Sequence, residues 1–206
     1  MATIGLYIDG FNMYHALDGL NKPHLKWLDL WALAERLATN DEQVVRVVYC
    51  SAYRTDDVSK MLRHRAYIKA LTATGVECLL GHFINETRDC RKCGHQWSAP
   101  TEKQGDVSLA LAVIDDAHRN VVDRAYLLTG DSDQAATIKL YLNRYPDRQI
   151  ISVAPPGRYH HAMLRDLASR SVKIEPSELE LCLLPALAGP PGAPARRPPE
   201  YAPPGT

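Results

Sequence analysis

The chain has 206 residues, of which 46% are hydrophobic and 23% charged, a composition that predicts one domain with a sizeable core. Lys plus Arg and Asp plus Glu number 24 each, so no global positive field favours nucleic acid, and any such contact needs a local patch. The N-terminus lacks a cationic start, and no stretch approaches the roughly 20 apolar residues of a membrane span. We therefore expect a cytoplasmic protein without a membrane association.

Strand and helix patterns alternate along the chain. Apolar runs predict strands at about residues 2–8, 44–53, 76–83, 124–130 and 148–154. Helical spacing predicts helices at about residues 28–37, 56–73, 104–120 and 134–143, and another beginning near residue 159. Near-continuous apolar strands that alternate with helices predict an α/β fold, in which helices cover both faces of a parallel sheet.

Two segments depart from this alternation. Residues 85–104 are polar and contain a CxxC, so they are predicted to form an excursion between a strand and the next helix. Residues 185–206 are rich in Pro, Gly and Ala and are predicted to form a disordered tail. The expected organisation is one domain over residues 1–184, which includes the excursion, followed by the tail.

Acidic residues stand where the predicted strands end. Asp9 follows the first strand, Asp131 and Asp133 follow the strand that ends at Gly130, and Asp106 lies in the first turn of its helix. The carboxyl ends of parallel strands meet at one edge of a sheet, which is where such folds bind ligands. We therefore expect these four carboxylates to lie together, although any one of them taken alone is more often a simple cap.

A cluster of four carboxylates predicts a bound cation. Without one, mutual repulsion would raise their pKa values until some were neutral. Oxygen-only ligands favour Mg²⁺ or Mn²⁺, and such ions would orient a water for attack on a phosphodiester. The pattern therefore predicts hydrolysis of a nucleic acid.

Three segments, YIDGFN, EKQGDVSLALAV and LLTGDSDQ, resemble in this order the motifs of NYN-domain (LabA-like) proteins in the PIN-like nuclease superfamily. The resemblance spans roughly residues 3–175. It implies a Rossmann-like three-layer α/β/α sandwich with a mostly parallel sheet, and an RNA substrate. It also implies a ribonuclease site in which the catalytic and Mg²⁺- or Mn²⁺-binding residues are Asp9, Asp106, Asp131 and Asp133.

Further polar residues are expected to support this site. Asn12 and Lys103 match motif positions of the resembled family, whereas Thr129 and Ser132 are assigned a supporting role from their position beside the acids. The alternative for these two residues is simple hydrogen bonding within the turn. Gln134 is a departure, because similar sequences often carry an aromatic residue there, but no metal ligand is expected at that position.

The excursion carries half of a zinc site. Cys90 and Cys93 form a CxxC, and His95, the earlier His82 or a more distant residue would have to complete a structural Zn²⁺ site, unless a second subunit in a homo-oligomer does so. Free or redox-active thiols and an ordinary loop are the alternatives. Trp97, in the same excursion, either stacks on a base or packs within the excursion.

A local basic patch is the candidate substrate surface. The helix predicted from residue 56 carries Lys60, Arg63, His64, Arg65 and Lys69, and Arg54 precedes it. Of these, Arg54, Lys60, Arg63 and Arg65 are the candidate phosphate-binding residues. A solvated helix face is the alternative. Asp115 and Asp116 lie on the order of 15 Å from Asp106 along their helix, and we expect them to be surface acids.

These features favour a metal-dependent endoribonuclease. Two other functions are weighed against it. A phosphatase or phosphotransferase would also use a strand-end aspartate, but Asp9 is followed by GFN and no DxDxT-like segment is present. A non-catalytic nucleic-acid-binding or regulatory adaptor would keep the metal site without turnover.

Overall fold

The computed structural model describes residues 1–54 and 56–205. The strands are β1 (Ala2–Asp9), β2 (Glu42–Ala52), β3 (Glu77–Asp89), β4 (Gln96–Lys103), β5 (Arg124–Leu128), β6 (Gln149–Ala154), β7 (Arg170–Lys173), β8 (Leu187–Ala188) and β9 (Ala195–Arg196). The α-helices are α1 (Gly10–Gly19), α2 (Leu30–Leu37), α3 (Val58–Ala73), α4 (Gly105–His118), α5 (Ala135–Arg144), α6 (Ala162–Leu167) and α7 (Pro176–Leu179).

Seven strands form one sheet in the order β4-β3-β2-β1-β5-β6-β7. Every neighbouring pair is parallel except β3 and β4, which are antiparallel. The predicted α/β sandwich with a mostly parallel sheet is confirmed. Strands β2 to β4 are added on one side of β1, and β5 to β7 are added on the other. The order of strand addition therefore reverses between β1 and β5, and a crevice is expected at the carboxyl ends of these two strands.

Two hydrophobic clusters cover the two faces of the sheet. Ile4, Leu6 and Ile8 of β1 point into the cluster shared with α1, α2 and α3, whereas Tyr7 points into the cluster shared with α4 and α5. Successive side chains of a strand point to opposite faces. A strand with a packed layer on each face therefore reads as a continuous apolar run.

The polar excursion is mostly a β-hairpin. Strand β3 continues past the sheet and pairs with β4 from His82 opposite Lys103 to Asp89 opposite Gln96. At the tip, the Cys90 amide donates to the His95 carbonyl at 2.8 Å, and Gly94 has φ +71°. A polar strand pair exposed on both faces lacks the apolar alternation that predicts strands, which is why the sequence indicates a loop here.

The segment from Pro185 to Gly205 packs on the domain, which differs from the disordered tail expected from its composition. Strands β8 and β9 pair, and Ala188 and Ala195 are buried. The indole of Trp27 donates to the Pro185 carbonyl at 2.9 Å, and Lys69 donates to the Pro194 carbonyl at 3.1 Å. Proline restricts the unfolded chain, so an irregular segment can be ordered by few buried side chains.

No helix in the described part of the chain combines the length and the apolar character that a membrane crossing requires.

Candidate active site

Asp9 is held rigidly at the carboxyl end of β1. Its side chain caps α1 by accepting from the Asn12 amide at 3.0 Å, and it is 7% exposed. The Asn12 side-chain amide and the Thr129 hydroxyl, the latter at 2.9 Å, both donate to its other oxygen. Three donors to one carboxylate fix its position.

Asn12 and Thr129 tie β1 to the turn after β5. The side-chain oxygen Oδ1 of Asn12 accepts from the Gly130 amide at 3.1 Å, and the Thr129 hydroxyl accepts from the Asp131 amide at 3.0 Å. A Cβ at Gly130 would lie 2.9 Å from the Asn12 oxygen, so glycine permits this close approach. Both residues therefore connect Asp9 to the turn that carries Asp131.

Asp131 and Asp133 begin a 3-10 turn, Ser132–Gln134, after β5. The Asp131 side chain accepts from the Asp133 amide at 2.9 Å and so caps the turn. Asp131 is half-buried and faces the site, whereas Asp133 is exposed and Ser132 is half-buried between them.

Asp106 lies in the first turn of α4 and faces the same edge, where a helix N-terminus favours negative charge. Glu102, at the end of β4, accepts from the Gly105 amide at 2.9 Å and is a further acid of the site. The sequence did not predict Glu102 as a site residue, although it belongs to the motif EKQGD. Glu102 reaches the site on β4, a strand that the sequence did not predict.

These side chains border a crevice of 130 Å³, which we call the acid crevice. Its lining comprises Asp9, Phe11, Asn12, Cys50, Glu102, Gly105, Asp106 and Asp131. Asp133 lies outside this lining, but its charge acts on Asp106. The structure thus brings the four predicted aspartates to one sheet edge and adds a glutamate.

The pKa of Asp106 is raised to about 6, first by partial burial and then by the negative charges of Asp9, Asp131, Glu102 and Asp133. Asp106 nevertheless remains accessible to solvent. Burial, followed by the charge of Asp9, also raises the pKa of Glu102. The crevice therefore carries unbalanced negative charge.

Within residues 1–54 and 56–205, no three His, Cys, Asp or Glu side chains form a ready metal-binding group. The carboxylates border one crevice without converging on one point. Their chemistry nevertheless fits a hard divalent cation, because all the acidic donors are oxygens, and because the neighbouring negative charges add to burial in raising the pKa of Asp106.

Lys103 does not reach the carboxylates of the predicted aspartates. Its ammonium pairs with Glu86 across the hairpin at 2.7 Å, both side chains being exposed to solvent. Gln134 is 2% exposed, and its side-chain amide donates to the Asp106 carbonyl at 3.0 Å. Gln134 therefore anchors the start of α4 to the turn that carries Asp131 and Asp133.

The predicted zinc ligands separate into two groups. Cys90 and Cys93 are together at the hairpin tip, where the amides of Lys92 and Cys93 lower the pKa of the Cys90 thiol. His95 stacks on Trp97, with ring centroids 6.3 Å apart and Trp97 half-exposed. His82 stands eight positions before Cys90 on the same strand, roughly 25 Å away at about 3.3 Å per residue, and cannot share a metal ion with it.

The basic patch also divides. Arg54, Lys60 and Arg63 line a second cavity beside α1, whereas Arg65 does not line it and lies over the Tyr53 ring at 5.5 Å. All four cations belong to α3 or the residues before it. Three of them are thus placed to act on one ligand.

One of the two later acids of α4 is not a surface residue. Asp115 is exposed and pairs with Arg119, but Asp116 is 1% exposed. The Asp116 carboxylate accepts from the Tyr7 hydroxyl at 2.9 Å and from Arg46 at 2.8 Å. The surface prediction for Asp116 is therefore wrong, because buried Tyr7 of β1 and partly exposed Arg46 of β2 supply donors that helix periodicity does not reveal.

Comparison with known proteins gives a family, a relative and a fold. The family profile described as NYN domain matches residues 3–170. A relative, the 6-hydroxy-3-succinoylpyridine 3-monooxygenase of Pseudomonas putida, is 26% identical over 221 residues, covering 87% of this chain and 69% of the relative. A solved structure of a Vibrio parahaemolyticus protein of unknown function is 23% identical with a TM-score of 0.56, covering 89% of this chain and 96% of that one. The last likeness bears on the fold alone.

Proposed function

This chain is a member of the NYN-domain family, within the PIN-like nucleases, and we propose that it is a metal-dependent endoribonuclease that uses Mg²⁺ or Mn²⁺. The observation that supports the proposal is the acid crevice at the carboxyl edge of the sheet, which is lined by Asp9, Asp106, Asp131 and Glu102. Among the described residues, the groups that donate to Asp9 are all neutral, so none of these bonds balances its charge. A phosphodiester therefore requires an added positive charge to approach this edge.

A divalent cation in the crevice would supply that charge, activate water and stabilise the leaving oxygen. Asp9, Asp106 and Asp131 would hold it, with Glu102 and Asp133 near enough to add charge. The chain's own part is positional, because Asn12 and Thr129 fix Asp9, and the turn amide of Asp133 fixes Asp131. Rigid placement of ligands lowers the entropy lost when substrate binds.

The test is cleavage of single-stranded RNA, structured RNA and single-stranded DNA by purified protein with Mg²⁺, Mn²⁺ or EDTA. Asp131→Asn should lower the rate of RNA cleavage at least about 100-fold, since even supporting residues of metal sites cost 10–100-fold. Asp115→Asn is the matched control, because Asp115 is an exposed acid outside the crevice. Metal binding without cleavage would favour the adaptor, and cleavage of DNA alone would correct the substrate.

A second candidate function is hydroxylation of an aromatic small molecule. It is favoured by the monooxygenase relative, which aligns with 87% of this chain. Such a reaction consumes O₂ and two electrons from a reductant, places one oxygen atom on the ring and releases the other as water. Oxygen uptake with 6-hydroxy-3-succinoylpyridine and NADH or NADPH, compared with uptake without the pyridine, tests it. Uptake that does not depend on the pyridine excludes this function for that substrate.

Zinc and self-association are proposed together. One chain contributes Cys90 and Cys93 to a site that needs four ligands, and the described residues bring no third ligand to them. A second copy could contribute its own pair. Zinc content by mass spectrometry and the mass in solution by light scattering test this, with Cys93→Ser expected to lose zinc and dimer alike. A zinc-free monomer would overturn both proposals.

We also propose the cytoplasm as the compartment of this protein. All five cysteines are free thiols, including the exposed Cys93. Exposed thiols persist in reducing compartments and are oxidised in others. Fractionation of cells that express the protein tests this assignment.

A further inference from the structure

A second cavity, which we call the aromatic pocket, adjoins the acid crevice. It has a volume of 220 Å³ and lies between α1 and α3, beyond the ends of β1 and β2. Phe11 lines both cavities, and Asp9 of the crevice is followed directly by Gly10 of the pocket. A ligand in the pocket would therefore be next to any group bound at the carboxylates.

The pocket is lined largely by aromatic rings. These are Phe11, Tyr14, Tyr49, Tyr67 and Tyr201, with the imidazoles of His15 and His64. The Tyr67 hydroxyl donates to the Leu28 carbonyl at 2.9 Å, so this residue presents its ring to the cavity. A cavity of about 150 Å³ can hold one benzene ring. The 220 Å³ here therefore suit one substituted ring system and exclude two stacked nucleotides.

A few polar atoms stand among these rings. The Ser51 hydroxyl lies 3.5 Å from His64 Nε2, and Ser51 is 3% exposed. Burial lowers the pKa of His64 to about 4, so its imidazole is neutral at physiological pH and offers one donor and one acceptor. Apolar walls with few polar atoms are typical of sites that orient a planar ligand.

Cations line the same cavity. Arg54 and Lys60 are about half exposed, and Arg63 is 21% exposed. Each pairs with a carboxylate, Arg54 with Asp56, Lys60 with Asp57, and Arg63 with Glu200. Exposed ion pairs of this kind contribute little free energy, so a phosphate can replace the carboxylates at small cost.

We propose that the aromatic pocket binds one nucleotide of the RNA strand, with its base between the rings and its phosphate on Arg54, Lys60 and Arg63. This inference rests on the proposed nuclease function and adds a substrate subsite to it. The wall shared through Phe11 places that nucleotide beside the cleaved phosphodiester. The pocket thereby selects the base next to the cut.

Binding of free nucleotides tests the pocket apart from catalysis. The probes are AMP, GMP, CMP and UMP, each with its nucleoside, and nicotinate as a heteroaromatic acid that is not a nucleotide, all by isothermal titration calorimetry. At least one monophosphate should bind about tenfold tighter than its nucleoside, because the cations add charge-assisted hydrogen bonds to the phosphate. Two variants form a matched pair. Arg63→Gln changes a residue that lines the pocket, and Arg65→Gln changes a residue that does not.

Arg63→Gln should weaken the binding of the monophosphate about tenfold and Arg65→Gln should leave it unchanged. Lys60→Gln repeats the test if Arg63→Gln unfolds, which circular dichroism would report. Asp131→Asn should abolish cleavage and keep nucleotide binding, so the pocket and the nuclease can fail separately. The proposal is overturned if no monophosphate binds, including the case in which nicotinate alone binds. It is also overturned if Arg63→Gln and Lys60→Gln both bind the monophosphate like the wild type.

Discussion

At the scale of single residues, one hydroxyl connects two of the candidate catalytic acids. Thr129 is 3% exposed, donates to Asp9 and accepts from the Asp131 amide. Thr129→Val keeps the shape and removes both bonds, so we expect cleavage to fall about 10–100-fold, the usual loss for a supporting residue. Thr129→Ser keeps the hydroxyl and should restore most of the rate. A large loss in Thr129→Ser beside a wild-type rate in Thr129→Val would mean that the methyl packing, and not the hydroxyl, is what matters.

Another residue-scale prediction concerns Glu42, whose side chain is 0% exposed at the start of β2. Burial alone would raise its pKa, but bonds from the Thr39 amide, Arg124 and Tyr126 outweigh burial and lower the pKa. A carboxylate with a lowered folded-state pKa stabilises the fold above its unfolded pKa of about 4.3, and this stability is lost as pH falls through the folded value.

Glu42→Gln should therefore lower the free energy of unfolding by about 2–3 kcal/mol at pH 7, because it removes the buried charge that accepts from Arg124 and Tyr126 and leaves Arg124 only its ion pair with Asp41. The difference between wild type and variant should shrink as pH falls below about 4. Urea unfolding at a series of pH values measures it. A difference that stays constant down to pH 3 would contradict the assigned role of the charge.

The sequence identifies candidate site residues more readily than the residues that contact them. Asp9 and Asp131 are placed by the rule that parallel strands end together, and the structure brings both to the acid crevice. That rule does not cover Glu102 or Asp116. Glu102 lies on the antiparallel strand β4, and Asp116 accepts hydrogen bonds from residues of β1 and β2. Local patterns do not contain such long-range contacts.

At the scale of elements, the hairpin of β3 and β4 controls where Glu102 stands. Gly81 lies where β3 leaves the sheet, and a Cβ there would be 2.3 Å from the Lys103 carbonyl oxygen and 2.9 Å from Glu102. Because the first contact is with backbone, Gly81→Ala must displace β4. We expect a loss of about 1–3 kcal/mol in stability from this overpacking.

The same substitution should also lower cleavage, since the displaced strand carries Glu102 to the crevice. Gly192→Ala is the control, because a Cβ at Gly192 would meet no atom within 4 Å. Thermal melting and cleavage rates of both variants decide the matter. A Gly81→Ala protein with wild-type cleavage would show that Glu102 has no part in the reaction.

At the scale of the whole molecule, composition and periodicity predicted the parallel sheet because every strand of its centre is buried on both faces. They did not predict the packing of residues 185–205. Pro and Gly content indicates how much conformational entropy a segment loses when it is ordered, but it does not show which surface of the domain the segment can pack against. That surface is made by Trp27 and α3, more than 100 positions earlier in the chain.

Truncation measures what this segment contributes. A chain that ends at Leu184 loses the Pro185 carbonyl that accepts from the fully buried Trp27 indole, along with buried Ala188 and Ala195. An unsatisfied buried donor costs about 1–3 kcal/mol, so the free energy of unfolding should fall by at least that amount. A chain that ends at Arg197 keeps β8, β9 and the Trp27 bond and should retain most of the stability, while it loses Tyr201 from the aromatic pocket. Equal melting of the two truncated chains and the full chain would mean that the segment is the independent tail that its composition predicts.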